Sequence, residues 1–138
     1  MELELFVLCD AATDYRGRLN ILGTFDTIHS RSFPAVWPHC ALALRLRYTV
    51  MEEGKHPVSL AIRDQEKKEI VPAIKGEFGF KVPPGRFSAA ANLVLNVDRL
   101  SFAAPGEYLI ELSLDDEVLR RLPLNVVAVP ASPEASEN

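Results

Sequence analysis

Two runs of alternating apolar residues flank an acidic turn near the C-terminal end, and they constrain this chain most. Tyr108, Ile110, Leu112 and Leu114 precede Asp115-Asp116-Glu117, and Val118, Leu122, Leu124 and Val126 follow it. A period of two marks strands with one buried face. Both runs share a face if the loop has three residues, pairing Leu114 with Val118, Ile110 with Leu122 and Tyr108 with Leu124. A two-residue loop would set Ile110 against Arg121 and turn one strand inside out. The three-residue register also sets Glu111 opposite Arg121, a cross-strand pair worth roughly 0.2–1 kcal/mol. Arg120 has the inward parity but lies near the turn, where a long side chain reaches water.

The same alternation recurs along the chain. Residues 2–12 and 19–29 read as an opening hairpin around Gly17. A loop of about ten residues, SRSFPAVWPH, is expected to cross between sheets, with Phe33, Val36 and Trp37 plugging one end. In the next strand Cys40, Leu42, Leu44, Leu46 and Tyr48 point one way and Ala41, Ala43, Arg45 and Arg47 the other. Val58, Leu60 and Ile62 continue an inward face. Residues 70–82 hold Pro72, Gly76 and Gly79, which suits an edge strand or a bulge. Residues 87–97 place Phe87, Ala89, Ala91, Leu93, Leu95 and Val97 inward. No helix-length segment separates these strands, so the fold class is all-β. It is a two-sheet antiparallel β-sandwich of about eight strands. Residues 1–129 form the domain, and residues 130–138 read as a disordered tail.

The segment around Tyr108 carries a resemblance. Gly106 stands two residues before it, and Leu100, Val97 and Leu95 stand eight, eleven and thirteen before it. This resembles the corner of immunoglobulin-like domains, where a tyrosine hydroxyl caps the turn into the sixth strand. Ala104 stands where a corner aspartate is expected, and Ile110 stands where the second disulfide cysteine would be. The resemblance therefore implies an immunoglobulin-like or fibronectin-III-like sandwich with no core disulfide. The stretches ELFVLCDAATDYRGRLNILGTFDTI, FPAVWPHCALALRLRY and ANLVLNV are also similar to a small family of uncharacterised bacterial proteins, a domain of unknown function. That likeness implies a bacterial origin and assigns no activity.

Composition narrows the functional classes. The 138 residues are 48% hydrophobic and 25% charged, with a net charge of −4. This suits a globular protein. It gives no basic surface, so neither nucleic acid nor membrane is expected as a partner. The acidic opening is unlike a secretion signal. Cys9 and Cys40 are then expected as reduced, buried thiols, and the expected location is the cytoplasm.

Chemical motifs are sparse. His29, His39 and His56 lack metal-ligand spacing, and adjacent His39 and Cys40 point to opposite faces of a strand. Turn acids, Asp10 and Asp14 among them, suggest a calcium- or small-ligand-binding module of the C2 type, but no paired D-x-D loops accompany them. No serine lies in a nucleophile elbow and no glycine-rich phosphate loop occurs. The expectation is thus no cofactor and no enzyme, with a small enzyme of unrecognised class as the third reading. The leading reading is a non-catalytic interaction or structural module with a protein partner. Its candidate surface is Arg45, Arg47 and Arg63 on one sheet face, where guanidinium groups could take an acidic group. A homodimer through an open sheet edge is also possible.

Overall fold

The computed structural model describes residues 1–130. The expected tail at 130–138 lies, from residue 131 onward, outside the described residues. Among the described residues nine strands are formed: β1 (Glu2–Tyr15), β2 (Arg18–Thr24), β3 (Thr27–Ser30), β4 (Ala35–Thr49), β5 (Gly54–Arg63), β6 (Ile74–Phe80), β7 (Ser88–Phe102), β8 (Gly106–Leu114) and β9 (Glu117–Ala128). They make two sheets, ordered β2-β1-β4-β7 and β3-β9-β8-β5-β6. Every neighbouring pair is antiparallel except β3 and β9, which run parallel. The protein is all-β with two packed sheets.

The core lies between the sheets, where the alternation placed it. Cys40, Leu42, Leu44, Leu46 and Tyr48 of β4 face Val58, Leu60 and Ile62 of β5 and Tyr108, Ile110, Leu112 and Leu114 of β8, all buried. β4 and β7 pair over their full length, from Ala35 opposite Phe102 to Thr49 opposite Ser88. Along this pair the buried parity changes. Below His39 and Asp98, the odd residues Ala35 and Trp37 and the even residues Leu100 and Phe102 turn toward the core. Arg99 takes a left-handed φ of 54° at the change. The local twist lets one strand pair serve two ends of the core.

Four expectations are corrected. The second strand does not run from 19 to 29. It breaks after Thr24, next to Gly23 with a φ of 68°, and the chain leaves the first sheet and enters the second as β3. This split brings the count to nine. The crossing loop is correspondingly shorter, because residues 35–39 already pair with β7, and Val36 is exposed rather than a plug. Phe33 and Trp37 do pack on the core. Phe87 precedes β7 and is 69% exposed, so it does not continue that strand's inward face.

The β8–β9 turn is the fourth. It has two residues, not three: Asp115 and Asp116 both take positive φ, 52° and 64°. That is the backbone of a tight hairpin whose twist matches its strands, and aspartate tolerates it better than most residues. The parity is rescued by a bulge. Leu112 pairs with Arg120 but Ser113 with Val118, so Leu119 is the extra residue on β9. Beyond the bulge Ile110–Leu122 and Tyr108–Leu124 pair as the alternation requires, while Val118 turns outward.

The outer face of the first sheet also departs from expectation. Ala41 and Ala43 are fully buried there with Cys9, covered by Val7, Ala12, Leu19, Ile21 and Val94. The hairpin of β1 and β2 curls back over this face. Its turn reaches β7, where Asn92 Nδ2 donates to the Gly17 carbonyl at 3.1 Å. Small residues on β4 leave the room that this third layer needs.

Candidate functional site

Arg45 and Arg47 stand together, on strand positions whose parity points away from the core. Between them lies Glu4, the extra residue of a bulge where Leu3 pairs with Leu46 and Leu5 with Arg45. Arg45 Nε donates to one Glu4 oxygen at 2.9 Å and Arg47 Nε to the other at 2.6 Å. Arg45 also donates to Asn92 Oδ1 at 3.0 Å. The Arg47 bond, with Arg45's added to it, holds the Glu4 carboxyl below its usual range. The two guanidinium groups thus already have a carboxylate.

Arg63 is not on this face. β5 belongs to the second sheet, because the β4–β5 connection crosses between sheets instead of forming a hairpin. There Arg63 Nε donates to Glu111 Oε1 at 2.6 Å, and Arg121 Nε donates to Glu111 Oε2 at 2.6 Å. The expected Glu111–Arg121 pair forms, with Arg63 as a second donor from the neighbouring strand. Arg63's bond, followed by Arg121's, lowers the Glu111 pKa. A carboxylate stabilised in this way contributes above its unfolded pKa of about 4.3 and loses that contribution as pH falls through the lower folded value. Glu111→Gln is expected to lower stability by about 1–2 kcal/mol at pH 7. The gap to the parent should close in urea unfolding at about pH 3, where the parent's carboxylate also protonates.

The turn acids are used locally. Asp64 Oδ1 accepts the backbone amides of Glu66 at 2.9 Å and Lys68 at 3.0 Å, the hydrogen bonding expected of a turn aspartate. Asp10 lies against Gly23, where a Cβ would come within 2.5 Å of its carboxylate. Asp14 sits 3.5 Å from Asn92 Nδ2. Asp10 and Asp14 thus contact different partners. Among the described residues no three His, Cys, Asp or Glu side chains gather as ligands. Cys9 and Cys40 are free thiols buried on opposite faces of the first sheet. Burial raises the Cys9 pKa and pushes that of Cys40 up to about 11.

The clefts follow the same logic. A 590 Å³ cleft lies between the 64–69 turn and the corner at Ala103, Ala104, Pro105 and Gly106. Its floor includes Tyr108, whose hydroxyl donates to the Ala104 carbonyl at 2.6 Å. A slot of 110 Å³ opens between the sheets beside β7, lined by Val58, Leu60, Ile74, Phe78, Leu93 and Leu95. Next to it the outer edge of β7 has no partner strand among the described residues, where β4 is its one neighbour.

His56, weighed in the sequence only as a metal ligand, has a different role in the fold. It lies 2.8 Å from Asp115 and 2.6 Å from the Glu52 carbonyl. The Asp115 contact has no local signal, because residues 56 and 115 meet only when β5 pairs with β8. Glu4 was overlooked for a similar reason: a bulge aims it.

Two sheets, a hairpin folded over the outer face of one and a long open edge define an all-β, two-sheet protein. The chain belongs to the family of unknown function DUF6941, whose profile matches residues 4–127. This agrees with the expectation of an uncharacterised family. No curated protein matches it. Among solved structures, the chain is similar to the Pseudomonas fluorescens alkylpurine DNA glycosylase AlkC bound to DNA containing an abasic site analog. Identity is 16% over 75% of this chain and 28% of that one, with a TM-score of 0.47. The chain thus spans little more than a quarter of that protein. The exclusion of nucleic acid drawn from net charge does not stand, because this similar structure is bound to DNA. The likeness goes no further than that correction. No helix among the described residues is long and apolar enough to cross a membrane.

Proposed function

We propose that this chain is a non-catalytic, immunoglobulin-like interaction module of a bacterial cytoplasm that binds a partner protein by strand addition at β7. The outer edge of β7 carries the reading. Among the described residues no strand pairs with this edge of the 15-residue β7. Long edges are ordinarily protected by lysine, proline or charge. Residues 88–97 read SAAANLVLNV and hold no proline and no ionisable side chain. The matching occupant is an extended, uncharged segment with apolar residues at alternate positions, some reaching the slot beside Leu93 and Leu95.

The strand order supports the immunoglobulin-like part. β3 joins β9 in parallel, and the Tyr108 hydroxyl bonds the carbonyl four residues upstream, as at a tyrosine corner. Ile110, fully buried, fills the place of the missing cysteine. The Arg45–Arg47 face is the weaker candidate, since Glu4 already occupies both guanidinium groups.

Parallel capture from native host extract tests the reading, using the parent chain and an Ala90→Lys/Asn96→Lys edge variant of equal melting temperature. A protein held by the parent and reduced about tenfold or more by the variant is the expected result. Equal retention by both chains, or nothing retained above background, would overturn it.

A further inference from the structure

One side chain outside these surfaces joins three segments and both sheets. His56 on β5 has an acceptor at each ring nitrogen: Asp115 Oδ2 lies 2.8 Å from Nδ1, and the Glu52 carbonyl oxygen lies 2.6 Å from Nε2. A neutral imidazole has one N–H and can serve one acceptor. The imidazolium serves both. The ring also stacks on Phe80 of β6, with centroids 4.5 Å apart, and Phe80 stacks on Tyr48 of β4, with centroids 4.2 Å apart and planes 5° apart. That column crosses from the second sheet to the first. A cationic ring over a phenyl face is favoured further.

The charged groups that face His56 are Asp115, from the β8–β9 turn, and Glu52, from the single 3-10 turn at Val50–Glu52. The Glu52 carboxylate is already held by the Met1 amino group at 2.6 Å and the Thr49 amide at 3.0 Å. From β6 and β4 the facing groups are uncharged rings. Asp115, and then the Glu52 carbonyl, raise the His56 pKa against the effect of burial.

We propose that His56 is a proton-operated latch that ties the 3-10 turn to the β8–β9 turn and is closed as the imidazolium. The two bonds differ in strength. The bond from Nδ1 to a carboxylate is charge-assisted, so the neutral ring keeps its proton there. The proton on Nε2 goes to solvent, and its lone pair then faces the Glu52 carbonyl, acceptor against acceptor. The β8–β9 turn stays in place, because the Asp115 amide also donates to the Pro57 carbonyl at 2.9 Å. The 3-10 turn loses its tie to β5 and is then held by the Glu52 carboxylate's bonds to Met1 and Thr49 and by the Val50 amide's bond to the Phe87 carbonyl. It carries Val50 and Met51, which are 38% and 85% exposed. With a raised folded pKa, the latch is fully closed below the ordinary value of about 6.5 and opens as pH rises through the folded value.

NMR on the full chain between pH 5 and 9 tests this. His56 should titrate above about 6.5, with the amides of residues 51–53 following the same midpoint. Their protection should fall about fivefold beyond the intrinsic pH dependence, the loss of one hydrogen bond. Asp115→Asn should move both midpoints down together. His56→Gln should abolish the transition at 51–53, and serves if the first variant does not fold. A His56 midpoint at or below about 6.5, amides that do not respond through it, or a transition that survives His56→Gln would each overturn the proposal.

Discussion

Glutamate in place of Ala43 is expected to lower stability by about 3 kcal/mol or more, with a fall in Tm of roughly 10 °C. By alternation alone this position faces water, and a surface substitution there would change stability by about 0.5 kcal/mol or less. In the fold Ala43 is fully buried beneath the β1–β2 hairpin, among Cys9, Ala41, Val7, Leu19, Ile21 and Val94. A carboxylate there meets no cation, because Arg45 is committed to Glu4 and Asn92. It must either lift the hairpin or stay buried unpaired, and both are costly. Urea unfolding of Ala43→Glu against Ala43→Ser separates the effect of charge from that of size. A stability change within about 0.5 kcal/mol for the glutamate variant would mean that the hairpin does not cover this face in solution.

Phe102→Ala is expected to cost about 3–5 kcal/mol. Phe102 is fully buried and meets Tyr108 edge-on, with centroids 4.9 Å apart and an interplanar angle of 66°. Its loss opens a cavity beneath the corner that the Tyr108 hydroxyl closes. Leu95→Ala, on the same strand but half-buried at the open edge, should cost about 1 kcal/mol. The ratio between the two variants in chemical unfolding reports where the core ends. Equal losses would mean that the β7 edge is covered in solution, against the strand-addition reading.

The contrast between these positions shows what the sequence could carry. The period-two signal depends on one buried face, and it located the core residues of β4, β5 and β8 correctly. It fails where a second layer covers the other face, as at Ala41 and Ala43. Nothing in a small-residue pair distinguishes a solvated surface from room for a hairpin. The β8–β9 pairing was legible because a parity argument survives a change of turn: the bulge at Leu119 restores what the two-residue turn would have broken. The run 19–29 was read as one strand, because nothing local shows that the chain changes sheets beside Gly23. Arg63 was grouped with Arg45 on the assumption that β4 and β5 form a hairpin, and the crossover separates them. Glu4 and His56 needed partners 41 and 59 residues away. Such pairings are set by sheet order, which no local pattern encodes.

The parallel seam between β3 and β9 has a consequence in time. It pairs residues 27–30 with residues 125–128, so one side of the second sheet cannot close until almost the whole described chain exists. On the ribosome, β3 must wait with its edge open while the intervening strands are made. Contacts between such distant segments slow folding, because the loop must be closed before the pairing is gained. The last strand among the described residues is the one that encloses the third. Removing either end would therefore leave the sandwich unclosed rather than merely shorter.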